Sequence, residues 1–427
     1  MASIDSDSMH HILPNYSRVI HIAIPAMNEA DFLPHTLQCI KDQRGLDPSV
    51  AVHTWICVNQ PDAWWQDKEQ VAICHNNRYT LEYLQTHPTK NIKVIDKSSP
   101  GKGWVGKDHG VGMARKVLMD SISEVAEEND LIVSMDADSY YPPGYLASVV
   151  EQFEQYPQAV ALSNPYYHRL SGDERLDRAM LRYEIYMRHY AMNMWRIGSP
   201  YSFTALGSAI ALPMWAYRKI GGMTAKKSGE DFYLLQKLRK AGWIINHNRE
   251  KVYPGTRYSD RVFFGTGPAM IKGSQGLWDS YPIYNHTLFD QVKRTYDLFP
   301  TLFENDQETP MDAFLTTQFR TENIYGPLRK NARSQSQFVK ACHHKIDGLR
   351  VLQFLKSSQQ TLQTTNEENL LNFLDKFYPE AFGKCTSETG EKLQQLDFQA
   401  SSIAILDNLR NFLVQIESSY QKLMSNN

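Results

Sequence analysis

Two pairs of carboxylates have types and spacing suited to chemistry: Asp136 and Asp138 in LIVSMDADSYYPPGYL, and Glu230 and Asp231 in KKSGEDFYLLQKLRKAGW. In an extended segment residues two apart point the same way, so Asp136 and Asp138 at a strand end aim at one point while Ala137 turns aside. Hard divalent cations take oxygen ligands, and Mg2+ or Mn2+ is commonly held by one or two carboxylates together with substrate phosphates. The first pair therefore suits a metal held against a diphosphate. A plain turn is the alternative, because Asp, Ser and Pro all favour turns. In the second pair one carboxylate can act as a general base that deprotonates an attacking hydroxyl. The alternative there is a pair of acids complementing the positive end of a helix capped by Ser228.

A glycine-rich loop, GKGWVGK at 101–107, contains GxGxxG and comes one residue from a P-loop. Asp108 stands where a P-loop needs Ser or Thr on Mg2+, and the dinucleotide fingerprint belongs after a first strand, not a third. What remains is a basic loop in which Lys102 and Lys107 can pair with phosphates, with Asp108 placed to cap the next helix. Simple solvation explains either lysine equally well. The run Cys342-His343-His344 suggests a metal only superficially, since neighbours on a helix diverge by about 100°. A packed or solvated helical segment is expected there.

These groups need a frame, and the chain supplies one. β-rich runs at 19–24, 52–59, 92–96 and 131–135 alternate with helical stretches near 30–43, 67–86 and 108–128 and after Pro142-Pro143. This predicts an α/β fold with a mostly parallel sheet covered on both faces, and a ligand edge at the carboxyl ends of the strands. The loops 25–29, 59–62, 97–107 and 136–142 should open on that edge. After about residue 285 strand signals stop, and 335–364 and 389–424 carry helical spacing. The expected division is a flexible tail over 1–17, a catalytic domain over 18–285 and an α-helical C-terminal domain over 286–427. The helix at 172–196, rich in Arg, Tyr and Met, reads either as a packed amphipathic helix or as the wall of an acceptor pocket.

Composition removes several classes of function. A net charge of -2 over 427 residues offers no basic field for nucleic acid. Five cysteines without a CxxC argue against a disulfide framework or a cysteine zinc site. The N-terminus lacks the basic start and apolar core of a signal peptide, and no apolar run is long enough to span a bilayer. A cytoplasmic location is expected, with a peripheral membrane contact left open. The C-terminal helices are candidates for contacts in a homo-oligomer.

In order along the chain, IPAMNEADFLPHTL, GVGMARK, DADS, GSAIALPMWAYRKIGGM and SGEDFYLLQKLRKAGW together resemble glycosyltransferase family 2, with its GT-A fold, over roughly residues 18 to 265. The resemblance implies metal-dependent transfer of a sugar from a UDP- or GDP-sugar to an acceptor hydroxyl, with Mn2+ or Mg2+ as cofactor. It implies that Pro25, Ala26, Asn28 and Glu29 contact the nucleotide, and that Asp136, Ala137 and Asp138 hold metal and diphosphate. Gly207 begins the strand on the sugar side, Asp231 is the base of an inverting transfer, and Glu230 positions the acceptor. Where the family usually has an acid after the second strand, this chain reads Val58-Asn59-Gln60-Pro61-Asp62, so Asn59 or Asp96 is left to meet the base. The family's QxxRW motif is absent, and RYSDRVFFGTG at 257–267 stands in its place, suited to a loop over phosphates. A sugar-phosphate nucleotidyltransferase would carry glycine and a base in PAMNEAD, which has neither. A non-catalytic scaffold on the same fold is the other alternative.

Overall fold

The structure is a computed structural model that describes residues 17–106, 109–226, 229–258, 266–380, 382 and 395–425. The expected tail, Ser17 apart, lies outside the described residues, as do Lys107, Asp108 and Ser228.

Strand β1 (Arg18–Ala26) is followed by α1 (Leu33–Lys41), β2 (Val50–Asn59), α2 (Val71–Thr86), β3 (Ile92–Lys97), α3 (Val111–Ser123), β4 (Leu131–Ser134) and α4 (Tyr145–Gln155). Ile20, Ile22 and Ile24 of β1 pack into one core with Leu33, Leu146 and Val149, while Ala23 between them joins Leu118 and Met119 on the opposite face. Both faces are covered, so β1 is apolar on both of them from Val19 to Ala26 apart from the buried His21. Then come β5 (Ala161–Ser163), α5 (Glu174–Arg196), β6 (Ile210–Pro213), α6 (Met214–Lys219), α7 (Glu230–Ala241) and β7 (Ile244–Ile245).

The described strands form one seven-stranded sheet in the order β3-β2-β1-β4-β6-β5-β7. β3, β2, β1 and β4 run parallel, and β6 is antiparallel to both β4 and β5. The chain winds outward from β1 to β2 and β3, then returns to place β4 on the other side of β1. That reversal leaves a crevice beyond the carboxyl ends of β1 and β4, the standard ligand position in such sheets. Strands β5 and β7 have three and two residues, too few to show any periodicity in sequence.

Helix α3 starts at Val111 with Gly110 at its N-cap, whose φ of 101° is open to glycine, and α7 starts at Glu230 with Gly229, φ 72°, at its N-cap. The expected capping residues Asp108 and Ser228 lie outside the described residues.

From residue 266 the described chain is helical: α8 (Thr266–Gly273), α9 (His286–Leu302), α10 (Asp312–Phe319), α11 (Gly326–Asn331), α12 (Gln335–Lys345), α13 (Gly348–Gln359), α14 (Asn366–Phe377) and α15 (Ile403–Ser425). The expected run over 335–364 is two helices, because Asp347 caps a new one by accepting from Arg350 N. Helices α9, α12 and α13 share a buried core with α3 and α7, and α14 and α15 pack on α5. His343 packs its ring against Tyr296 and Phe299, so Cys342-His343-His344 is a packed segment.

The joint between α5 and α15 is ionic as well as apolar. Arg188 pairs with Glu184 and with Glu417 of α15, and donates to Tyr166 O at 2.8 Å. Arg410 of α15 donates to His168 O at 2.6 Å and lies 3.4 Å from Glu184. Burial alone would raise the Glu184 carboxyl, but Arg188, His168 and Arg410 hold it well below the usual range. Such a network tolerates burial only because each charge has several partners.

Candidate active site

At the end of β4 the chain leaves the sheet and is tied down at once. Thr36 Oγ1 of α1 donates to Ala137 O at 2.8 Å and to Ser139 O at 3.1 Å. Asp136 N donates to Tyr141 Oη at 3.1 Å, and that hydroxyl donates to Ser208 O at 3.2 Å. Tyr140 exchanges backbone hydrogen bonds with Tyr253 at 2.9 and 3.1 Å. The segment beyond Tyr253 then presses on Asp138: a Cβ at Gly255 would stand 2.9 Å from Asp138 O and 3.0 Å from its carboxylate. The Tyr-Tyr-Pro-Pro run thus anchors both aspartates from several sides.

Each aspartate faces an arginine. Arg115, on the first turns of α3 and 2% exposed, places Nη2 3.0 Å from Asp136 Oδ1 and Nε 3.3 Å from Glu230 Oε1. It also donates to Ser134 Oγ and to Gly207 O. Gly207 leaves room for this packing, since a Cβ there would lie 2.4 Å from Arg115 Nη2 and the guanidinium would have to shift. Burial alone would lower the guanidinium's pKa, but Asp136 and Glu230 raise it instead. Arg257 sits 2.7 Å from Asp138 Oδ2 and pairs with Glu29 as well. For Arg257 too, the carboxylates of Asp138 and Glu29 outweigh burial and raise the pKa.

Helix α7 brings the second acidic pair to the same place. Gly112 of α3 lets it approach: a Cβ there would meet Lys226 O at 1.9 Å and Glu230 Cβ at 3.2 Å. Burial raises the Glu230 carboxyl against the pull of Arg115. Burial and then the Glu230 charge push Asp231 up to about 7, against the hydrogen bond from Phe232 N at 2.7 Å. A carboxyl poised near neutrality, at a helix N-terminus that would ordinarily lower it, is suited to proton transfer at physiological pH.

Asp136, Asp138, Glu230 and Asp231 line one cavity of about 600 Å³ with Arg115 and Arg257. Pro25, Glu29, Asn59, Ala137 and Gly207 line it too. Ala26 and Asn28 do not. Asn28 takes φ 61° and donates its backbone N–H to Asn77 Oδ1 at 2.8 Å, which shapes the loop. Asn59 donates to Ala26 O at 3.0 Å and accepts from Trp104 Nε1 at 3.1 Å, so both ends of its amide already bond within the protein. Asp96 and Lys102 pair with each other at 3.0 Å outside this lining. Burial would raise the Asp96 carboxyl, but hydrogen bonds from Ser99, Ser98 and Lys102 bring it well below its usual range. The glycine loop is pinned rather than free: Asp62 Oδ1 accepts from Gly101 N at 2.7 Å, and a Cβ at Gly103 would lie 2.6 Å from the Asp62 backbone.

Sequence reasoning passed over Arg115, although GVGMARK was in view, because an arginine on an amphipathic helix is exposed by default. It also left undecided the face of α5 that carries Tyr183, Tyr186, Met187 and Tyr190 at helical spacing, all of which line the cavity.

The two aspartates fit a hard divalent cation by donor type. Arg257 engages Asp138 through Oδ2, and Asp136 is 36% exposed with Oδ1 toward Arg115. Among the described residues no group of three or more His, Cys, Asp and Glu could hold a metal ion, so the remaining ligands would have to come from substrate and water.

The sequence model of glycosyl transferase family 2 matches residues 21–207, which includes both aspartates of β4's end and stops before Glu230 and Asp231. No curated protein matches the chain. Among solved structures it is similar to the mannosyltransferase PcManGT from Pyrobaculum calidifontis in complex with GDP-Man and Mn2+, at 13% identity over 95% of this chain and 88% of that one, with TM-score 0.38. It is also similar to S. aureus TarS 1-349 in complex with UDP-GlcNAc, at 14% identity over 95% and 92%, with TM-score 0.39. Likenesses of this degree carry no functional weight of their own. Over residues 21–207, somewhat less than half of its length, the chain is thus similar to glycosyl transferase family 2.

Proposed function

We propose that the enzyme transfers a sugar from a UDP- or GDP-sugar to an acceptor hydroxyl with inversion, in a reaction that depends on Mg2+ or Mn2+. The observation that carries this reading is the meeting of Asp136, Asp138 and Asp231 in one cavity beyond β1 and β4. Asp138 and Asp136 would hold the cation, which supplies positive charge to the departing diphosphate. Arg257, beside Asp138, adds a fork of donors matched to phosphate oxygens. Asp231, when ionised, accepts the acceptor's proton on a carboxylate oxygen as that hydroxyl attacks the anomeric carbon. Glu230, anchored by Arg115, keeps a negative charge beside Asp231 and so maintains its basicity. Pro25 and Glu29 line the nucleotide side. The four described cysteines are free, which agrees with a cytoplasmic enzyme.

Thermal shift with UDP- and GDP-sugars, with and without Mn2+, tests the reading. Metal-dependent stabilisation is expected, lost in Asp138→Ala and kept in Asp231→Asn, with donor hydrolysis and transfer lost in the latter. Unaltered binding and turnover in both variants would overturn it.

A further inference from the structure

The helical region after residue 285 reaches into the active-site cavity. Helix α13 is strapped at both ends to elements that line it. At its start, Gly348 N donates to Gln236 Oε1 of α7 at 3.2 Å, and Asp347 pairs with Lys240 of α7 at 2.5 Å. The approach is close, for a Cβ at Gly348 would meet Gln236 Nε2 at 2.4 Å. At its end, Gln359 Oε1 accepts from Asn285 N at 2.8 Å, directly after the cavity-lining Tyr284. The helix therefore spans from the element that carries Asp231 to the tyrosine wall.

Two faces of α13 have different tasks. Val351, Phe354 and Leu355 are buried in the core. Leu349, Leu352 and Lys356, at i, i+3 and i+7, line the cavity. The leucines are half-buried and Lys356 is exposed, with no ion pair among the described residues. Tyr186 and Tyr190 of α5 are likewise only partly covered and line the same space. Apolar side chains left facing a cavity of this size mark a place for an apolar ligand group. Lys356 lies about 10 Å along the helix from Leu349, and a positive charge there complements an anion.

We infer that α13 forms the acceptor subsite, and that the acceptor is amphiphilic: an apolar body against Leu349, Leu352, Tyr186 and Tyr190, with an anionic group toward Lys356. This rests on the transferase reading above and adds the acceptor's class to it. The apolar body also excludes water from Asp231, which would otherwise accept a proton from water and let the donor hydrolyse.

With a donor identified by metal-dependent stabilisation, transfer is measured by mass spectrometry to methyl and octyl glycosides and to methyl and octyl glucuronides. Octyl acceptors should exceed methyl ones in kcat/KM by tenfold or more, and glucuronides should exceed neutral glycosides. Leu352→Glu should abolish the octyl preference, and Lys356→Glu should reverse the charge preference, each by roughly tenfold. Circular dichroism checks that each variant is folded, and Leu349→Gln serves where Leu352→Glu is not. Equal use of methyl and octyl acceptors, preferences that survive these substitutions, or no transfer to any octyl acceptor by enzyme that hydrolyses the donor would each overturn the inference. A protein that neither binds nor hydrolyses any nucleotide sugar overturns the transferase reading first, and this inference with it.

Discussion

Arg115 Nη2 stands 3.0 Å from Asp136 Oδ1, and the same buried guanidinium reaches Glu230 at 3.3 Å. One cation thus links the end of β4 to the start of α7, residues that are far apart in sequence. Without it, the buried Glu230 carboxylate would be left without its cation beside the partly exposed Asp136.

Arg115→Met is therefore expected to lower stability by about 3–5 kcal/mol, the usual result of removing one partner from a buried ion pair. Arg115→Lys should recover only part of this, because an ammonium cannot reproduce the fork toward Asp136, Glu230 and Gly207 O. Urea denaturation of the three proteins reads the difference.

Asp231→Asn should reduce transfer by a factor of about a hundred to ten thousand while donor binding persists. In the parent enzyme the rate should fall as pH drops through about 7, where Asp231 takes up its proton. The stability effect has the opposite sign. A carboxyl whose folded pKa is raised from 3.8 to about 7 binds its proton more tightly in the folded state, so its contribution declines as pH rises between those values. Asparagine removes that decline, and the variant should be more stable than the parent at pH 8, by roughly 1–2 kcal/mol, and indistinguishable at pH 3. Thermal melts across the range check this.

Arg257 and a cation compete for the Asp138 carboxylate. Arg257→Gln should tighten Mn2+ binding in the absence of nucleotide, by about tenfold, because a positive neighbour is gone. The same change should weaken binding of the nucleoside diphosphate. Titration calorimetry with metal alone and with metal plus nucleotide separates the two effects, and movement of both affinities in one direction would contradict the competition.

At Gly112 two rules give opposite signs. Helix propensity favours alanine over glycine by about 1 kcal/mol in a helix interior. The added Cβ would lie 1.9 Å from Lys226 O, so something must move. Overpacking against backbone outweighs propensity, and Gly112→Ala should lower Tm and cost about 1–2 kcal/mol of stability net. It should also reduce activity, because α7 carries Glu230 and Asp231 and would be displaced.

Much of the frame was legible in the chain. Runs such as VIHIAI and LIVSM announce buried strands because a doubly covered strand is apolar at nearly every position, and helices between them favour parallel pairing. The place of Asp136 and Asp138 followed, since a strand end in such a sheet opens on the ligand edge. The short strands β5 and β7 were not legible, because two or three residues show no period. Nor were the glycine N-caps, since Gly110 and Gly229 act through backbone conformation and not through a side chain.

The amino-acid sequence by itself determined the α/β alternation, the family resemblance and the pair Asp136 and Asp138 at the end of a strand. Only the tertiary structure decided which charges meet. Arg115 and Glu230 are separated by 115 residues, and Arg257 and Asp138 by 119, so no local pattern encodes their contact. The same holds for α13, which in the sequence is only part of a stretch with helical spacing until the fold lays one of its faces over the cavity. Side-chain type sets what a residue can do, but proton affinity and contact depend on burial and on neighbours brought from elsewhere in the chain. Those are properties of the packed molecule.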